Sequence, residues 1–527
     1  MTVESVEMGM EKKPMMRQQK FTRTLAFSIF AAAFGSSFLF GYNLGVINAP
    51  QTVIGLWIRD TTCIANGGVP SQKDGQTDDI WCKKLDPTGQ ATMFSDNGTL
   101  NLIWALITAI FCAGGLIGAL STSFFISRYG PRMTMIINNA VGLIAVVLLS
   151  IPQAVGSYEV LIVARFVVGV SSGVNSGTPA VYFSEIAPAH LKGALGSVHQ
   201  LTVTIAISIS QVLGLPYIMG NSSLWPYLFA VSAVPSIVQL LTLPFCPESP
   251  KWLFLGKEDE EAARAALVRL RGTTDVEDEM SEMRAEHKVA KALPKVGVKD
   301  LFTDPFLRSI TFIAIMLMVC QQMSGINAVM FYSTQIFRSA GLDAQSALYA
   351  TIGMGVVNIG MTVVSVFLVE KAGRRTLLLI GYAGMLVTCV LLSCSMLIFD
   401  SGVAPVWNPA AVNPFGFFAY FSIVFVIVYV IMFATGPGSI PWFLVSELFT
   451  QGPRAAANSI AVGTNWLCSL IIAIAFPFVQ TAIEEYTFLV FAGLLVIFVV
   501  YTRLRVVETK GKTQDEVQAE LRQRFEQ

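Results

Sequence analysis

Long stretches without one charged residue divide this chain. They lie between Arg23 and Arg59, Asp96 and Arg128, Arg132 and Glu159, Arg308 and Arg338, Asp343 and Glu370, Arg375 and Asp400, Asp400 and Glu447, Arg454 and Glu484, and Glu485 and Arg503. Each is long enough to hold the about 17–25 apolar residues that carry a helix across a bilayer. The gap from Lys192 to Glu248 has room for two such helices, turning at residues 220–225, and one more over about 158–182 is interrupted only by Arg165. Nine, two and one predict an all-α membrane protein of twelve transmembrane helices.

Composition agrees with this pattern. The 527 residues are 54% hydrophobic and only 13% charged, against about 25% charged in a soluble domain. Zero net charge gives no sign of a nucleic-acid partner. The first twenty residues carry Glu4, Glu7, Glu11, Lys12, Lys13, Arg17 and Lys20 and no apolar run, so no cleavable signal is expected and the first span directs insertion. An even number of crossings puts both termini on one side. Arg128, Arg132, Lys192, Lys371, Arg374, Arg375, Arg454 and Arg503 fall in short loops of that side, whereas the opposite short loops offer only Arg338 beside Asp343, Asp400, Glu484 and Glu485. The positive-inside rule therefore predicts cytoplasmic termini.

Two long loops organise the rest. Residues 59–96 form an extracellular loop with Cys63 and Cys82, which either pair or stay as two free thiols, and the sequon at Asn97 abuts the second span. Between the sixth and seventh spans, residues 251–300 hold ten Lys/Arg and eleven Asp/Glu, a near balance that reads as solvated linker helices. Splitting the chain at this linker exposes a repeat. R-Y-G-P-R at 128–132 answers K-A-G-R-R at 371–375, Glu185 answers Glu447, and Glu248 answers Glu508. The predicted divisions are an N-terminal tail (1–22), a first six-helix half (23–246), the linker (247–307), a second half (308–503) and a C-terminal tail (504–527). Two six-helix repeats around a central site describe an alternating-access carrier.

The chemistry concentrates at residues 320–332, C-Q-Q-M-S-G-I-N-A-V-M-F-Y. Gln321, Gln322 and Asn327 lie within a charge-free span, where amides are costly unless they face protein, water or a ligand. Gly325 weakens the helix beside them. The stretch reads as the polar wall of a wet cavity for something uncharged. Neither the cysteines nor the three histidines form a metal set, and no nucleophile triad, phosphate loop or nucleotide motif is present, so neither an enzyme nor a cofactor is expected. Opposite charges where the halves meet on the cytoplasmic side, Glu185 with Arg454 and Glu447 with Lys192, together with Arg128, Arg165, Glu370, Arg374 and Arg375, are expected to hold that side shut in one state.

Seven motifs carry a resemblance over nearly the whole chain: G-Y-N-L-G-V-I-N-A-P at 41–50, R-F-V-V-G at 165–169, P-E-S-P-K-W-L at 247–253, Q-Q-M-S-G-I-N-A at 321–328, G-R-R at 373–375, G-P-G-S-I-P-W at 436–442 and V-V-E-T-K-G-K-T at 506–513. The chain resembles the facilitative glucose transporters, in the sugar porter branch of the major facilitator superfamily. The resemblance implies hexose contacts at Gln200, Gln321, Gln322, Asn327 and Asn358, with ring surface from Trp442 and from Trp466 beside Asn465. It implies a gate at the break from Gly436 and Pro437 to Pro441, with Phe331 and Tyr332 closing over the sugar. Proton-coupled relatives carry an aspartate where this chain has Asn43, which cannot titrate, so a passive uniporter is expected over a symporter or a non-transporting sensor. Ala434 stands where glucose-selective relatives usually carry a glutamate and Met330 replaces an aromatic, which leaves a fructose-preferring carrier as the alternative. With no sorting signal in sight, the plasma membrane is the default location.

Overall fold

The computed structural model describes residues 21–65, 69–70, 82–85, 91–93, 97–188, 191–292, 297–401, 417–512 and 514–525. Among them, ten helical stretches are long and apolar enough to cross a membrane. The last, Ala456–Arg505, runs for 50 residues and folds back at the short 3-10 turn Glu484–Tyr486, so it makes two crossings. The shorter apolar helix Ser197–Leu213 supplies another. Twelve spans result. Spans 1 to 6 are Arg23–Gly45, Thr99–Tyr129, Pro131–Ser150, Tyr158–Ile186, Ser197–Leu213 and Trp225–Phe245. Spans 7 to 10 are Pro305–Ser339, Ala344–Val369, Arg374–Asp400 and Phe418–Leu448; spans 11 and 12 are Gln451–Ile483 and Thr487–Arg505. Among the described residues, the strands form one small antiparallel sheet in the loop after span 1, with β1 (Val69–Pro70), β2 (Cys82–Leu85) and β3 (Ala91–Met93) in that order.

The repeat visible in the sequence is built into the side where the termini lie. Span 3 begins after Gly130, and its first free N–H groups, on Arg132 and Met133, donate to the Glu248 carboxylate at 3.0 and 3.4 Å. Span 9 begins after Gly373, and Arg374 and Arg375 donate their N–H groups to Glu508 at 2.9 and 3.0 Å. A carboxylate on a helix N-terminus satisfies donors that have no partner within the helix and meets the positive end of its dipole. Both glycines adopt an extended conformation of positive φ (86° and 90°, with ψ near 158°) that suits glycine alone. A Cβ would also approach the capping carboxylate, to 2.9 Å at Gly130 and 2.7 Å at Gly373.

Each half then gains its own brace on that side. The linker helices Glu260–Arg271 and Glu277–Ala292 fasten to the first half. Arg271 is buried, with two 2.8 Å bonds to Glu279 and one of 2.8 Å to the Ile186 carbonyl; Arg269 reaches the Phe245 carbonyl at 2.9 Å. The C-terminal helix Gln514–Phe525 fastens to the second half. It buries Leu521 completely, donates from Gln518 to the Leu448 carbonyl at 2.6 Å and lays Arg522 over the Phe306 ring at 5.2 Å. Replacing Gly130 or Gly373 by Ala should cost about 1–3 kcal/mol of stability, read as a lower thermal midpoint of the detergent-purified protein; an unchanged midpoint would contradict the capping role.

Candidate functional site

Spans 7 and 10 are the two helices that break inside the second half. In span 7 the α-helix Pro305–Gln321 passes into a π turn at Gln322–Ile326 before Asn327–Ser339 resumes. Gly325 carries the kink, with φ of 100°. In span 10 the helix Phe418–Thr435 stops at Gly436, whose φ and ψ (−148°, −61°) leave the helical region, and restarts as Ile440–Leu448. Pro441 sits in the first turn of the restarted helix, where a missing N–H costs nothing.

The amides gather at the span 7 break. Gln321 Nε2 donates to the carbonyls of Pro437 and Gly438, both at 2.8 Å, so an amide of one broken helix satisfies acceptors freed in the other. Asn465 on span 11 donates to Gln321 Oε1 at 2.7 Å and accepts from Gln322 Nε2 at 2.8 Å. Asn327 donates to Gln322 Oε1 at 2.7 Å and to Ser469 Oγ at 2.8 Å. The result is one continuous chain, Gln321, Asn465, Gln322, Asn327 and Ser469, all buried and none charged. An amide offers both donor and acceptor, so such a chain can exchange its internal bonds for those of a hydroxyl-rich neutral ligand.

The chain of amides faces the seam between halves through its neighbour Trp466. That indole is buried, lies 5.9 Å from the rings of both Phe40 and Phe111 in the first half, and leaves its Nε1 without a hydrogen-bond partner. Gly115 on span 2 admits it, since a Cβ there would stand 2.2 Å from the ring.

On the side opposite the termini the seam is closed by polar bonds. Asn48, just past span 1, donates to the Met330 carbonyl at 2.9 Å and to Ser333 Oγ at 2.6 Å, and accepts from the Thr334 N–H at 3.4 Å. Gln51 reaches Gln335 at 3.1 Å and Arg338 reaches Thr52 at 3.3 Å.

Comparison with known proteins decides the family. The sequence profile described as "Sugar (and other) transporter" matches residues 28–521. Facilitated glucose transporter member 1 of solute carrier family 2 from Gallus gallus is 40% identical over 505 residues, 96% of this chain and 94% of that protein. The chain belongs to the sugar transporter family. Member 4 from Mus musculus is 41% identical over 96% of this chain and 92% of its own length. Facilitated glucose transporter protein 1 from Caenorhabditis elegans is 40% identical, with coverage of 96% and 92%. The fold matches the xylose transporter XylE from E. coli in a partially occluded inward open conformation, with a TM-score of 0.71, 23% identity and coverage of 93% and 100%. Sugar transporters are not enzymes.

Not every residue expected at the site of this sugar transporter joins the amide chain. Asn358 is buried on span 8, while Gln200 on span 5 and Trp442 on span 10 are half-buried; none of the bonds above involves them. Phe331 and Tyr332 are fully buried, and Tyr332 stacks on Phe476 at 5.2 Å with its hydroxyl on the Ala473 carbonyl. Tyr332 thus packs against span 11 in this conformation. Asn43 donates to the Leu39 carbonyl at 2.9 Å and leaves its Oδ1 unpartnered.

The charged set divides. Arg165 does not lie with the charges on the side of the termini. It stands two turns from the start of span 4 at Tyr158, while Glu185 stands at the far end, roughly 30 Å away at 1.5 Å per residue. Buried there, it donates to the Asn43 carbonyl at 3.2 Å and covers the Phe111 ring at 4.4 Å. Glu447 pairs with Arg374 at 3.2 Å and accepts from Thr509 Oγ1. Arg454 donates to the Phe449 carbonyl at 3.3 and 3.2 Å. These bonds stay within the second half and the segment 504–527 that follows it, as do those of Arg374 and Arg375. Arg128 is exposed, and one Glu185 oxygen is buried without a hydrogen bond. The side chains of Lys192, Glu370, Cys82 and Asn97 lie outside the described residues. Cys63 is buried and disulfide-bonded.

The residue that sequence reasoning passed over is Asn48. It sits inside a quoted motif, yet nothing local says that its partners lie 282 to 286 positions away. Asn48→Ala removes three bonds worth ~0.5–1.5 kcal/mol each and should favour the state open on that side. A cysteine reporter at Gln335 should then be alkylated about tenfold faster or more; equal rates would refute the latch.

Proposed function

We propose that this chain carries a hexose, D-glucose above all, down its gradient by alternating access, with no coupled ion. The observation that carries this reading is the buried, uncharged amide chain from Gln321 to Ser469, set against the seam between halves. Millimolar affinity corresponds to only about −4 kcal/mol, so a few exchanged hydrogen bonds at ~0.5–1.5 kcal/mol net suffice. A carrier that must release its cargo gains nothing from more. The 40% identity to proteins named as facilitated glucose transporters supports the same substrate class.

In this reading Gln321, Gln322, Asn327 and Asn465 bind the sugar, with Gln200, Asn358, Trp442 and Trp466 completing the cavity as the carrier moves. Gly436, Pro437 and Pro441 form the hinge of the gate. Asn43 supports passive transport: with no titratable group at that position, no proton is taken up. Residues 23–246 and 308–503 are the moving halves, the linker 247–307 and both tails (1–22 and 504–527) lie in the cytoplasm, and loop 59–96, with a Cys63–Cys82 bridge and a glycan site at Asn97, faces outward at the plasma membrane. Ala434, buried and apolar two residues before Gly436, favours tolerance of fructose as a second cargo.

Flux of labelled glucose and fructose into proteoliposomes tests the whole reading. Uptake should proceed without a proton gradient, and sugar-driven alkalinisation of the medium would overturn the uniport assignment. Gln321→Leu should weaken apparent affinity for glucose about threefold to tenfold, one hydrogen bond's worth; unchanged kinetics would remove Gln321 from the site.

A further inference from the structure

The kink in span 7 has a second support that no site residue provides. Gly325, with its positive φ, directly follows Ser324, so the Ser324 carbonyl lies at the kink. Tyr429 on span 10 donates its hydroxyl to that carbonyl at 2.9 Å. Tyr429 is buried and lies two turns before Gly436. Ser324 Oγ in turn donates to the Gln321 carbonyl at 2.6 Å. The arrangement is reciprocal: Gln321 of span 7 satisfies the carbonyls freed in span 10, and Tyr429 of span 10 bonds a carbonyl at the kink of span 7. Gly325 is pressed against Phe491 of span 12, where a Cβ would stand 2.9 Å from the ring. The kink is thus fixed from one side by packing and from the other by the tyrosine hydroxyl.

We propose that Tyr429 is a positioning residue for the sugar site: its hydroxyl holds the Gln322–Ile326 turn in the shape that brings Gln321 and Gln322 against Asn327. The inference rests on the hexose reading above. The amides stand on both sides of the turn, and the 2.7 Å bond from Asn327 to Gln322 spans it. Losing the hydroxyl removes the donor that ties this buried carbonyl to span 10, and the turn is then free to change shape. The amides would then no longer converge, although every one of them is still present. Tyr429→Phe keeps the ring and removes only this donor.

The test is an equilibrium titration of the purified full-length protein with D-glucose and with D-fructose, for wild type, Tyr429→Phe and Tyr182→Phe. Tyr182 is the control: it too is buried with its hydroxyl on a carbonyl, that of Pro247 at 2.7 Å, but it belongs to the first half and has no contact with the amide chain. We expect the two variants to lower the ligand-free melting temperature alike. We expect Tyr429→Phe to weaken sugar binding about tenfold and Tyr182→Phe to stay within about twofold of wild type. Binding by Tyr429→Phe within about twofold of wild type, or equal weakening in both variants, would overturn the positioning role. A wild type that binds neither sugar would instead refute the hexose reading on which the inference stands.

Discussion

A helix that breaks inside a membrane must find partners for the carbonyls it frees, because the surrounding hydrocarbon offers none. The architecture around the candidate site follows from this constraint. Span 10 opens at Gly436 to Gly438, span 7 opens at Gln322 to Ile326, and side chains of each bond carbonyls at the break of the other. The same amide that repairs span 10 is one end of the chain that would meet a sugar. Repair and recognition therefore share atoms, and a ligand that takes the Gln321 amide group also loosens the backbone of the helix beside it.

The rest of the molecule keeps the two halves internally stiff. Glu248 and Glu508 clamp helix N-termini within their own halves, the linker helices brace the first half, and the C-terminal helix braces the second. Across the seam the ties are of another kind. Asn48 and Gln51 use neutral side chains, Arg338 meets the neutral hydroxyl of Thr52, and Trp466 meets Phe40 and Phe111 through ring contacts. Bonds of modest strength can be broken and remade at little cost, which suits rigid bodies that rock about a common surface.

Much of this was legible in the sequence. Charge-free gaps located the spans, the spacing of Glu248 and Glu508 located the repeat, and the cost of burying amides singled out the span 7 stretch. What stayed hidden depended on depth and on distant partners. Arg165 was grouped with the cytoplasmic charges because residue type was read without its position along span 4. Glu185 and Arg454 were matched by sign, whereas Arg454 donates to a carbonyl of its own half; the Lys192 side chain expected beside Glu447 lies outside the described residues. Asn48 was invisible because its bonds join residues nearly 300 positions apart. Loop strands β1 to β3 were missed because two to four residues are too few for alternation to register.

The π turn in span 7 carries a consequence of angular phase. Along an unbroken α-helix of 3.6 residues per turn, Gln322 and Asn327 would point about 140° apart, and the two amides could not touch. A π turn bonds residue i to i+5 and so brings these two positions, five apart in sequence, onto one face. Were the turn, with its left-handed Gly325, to relax into regular α-helix with every residue kept, the two amides would part by that angle. The site thus depends on how the backbone is wound at one glycine as well as on residue identity, a feature that a comparison of side chains position by position does not register.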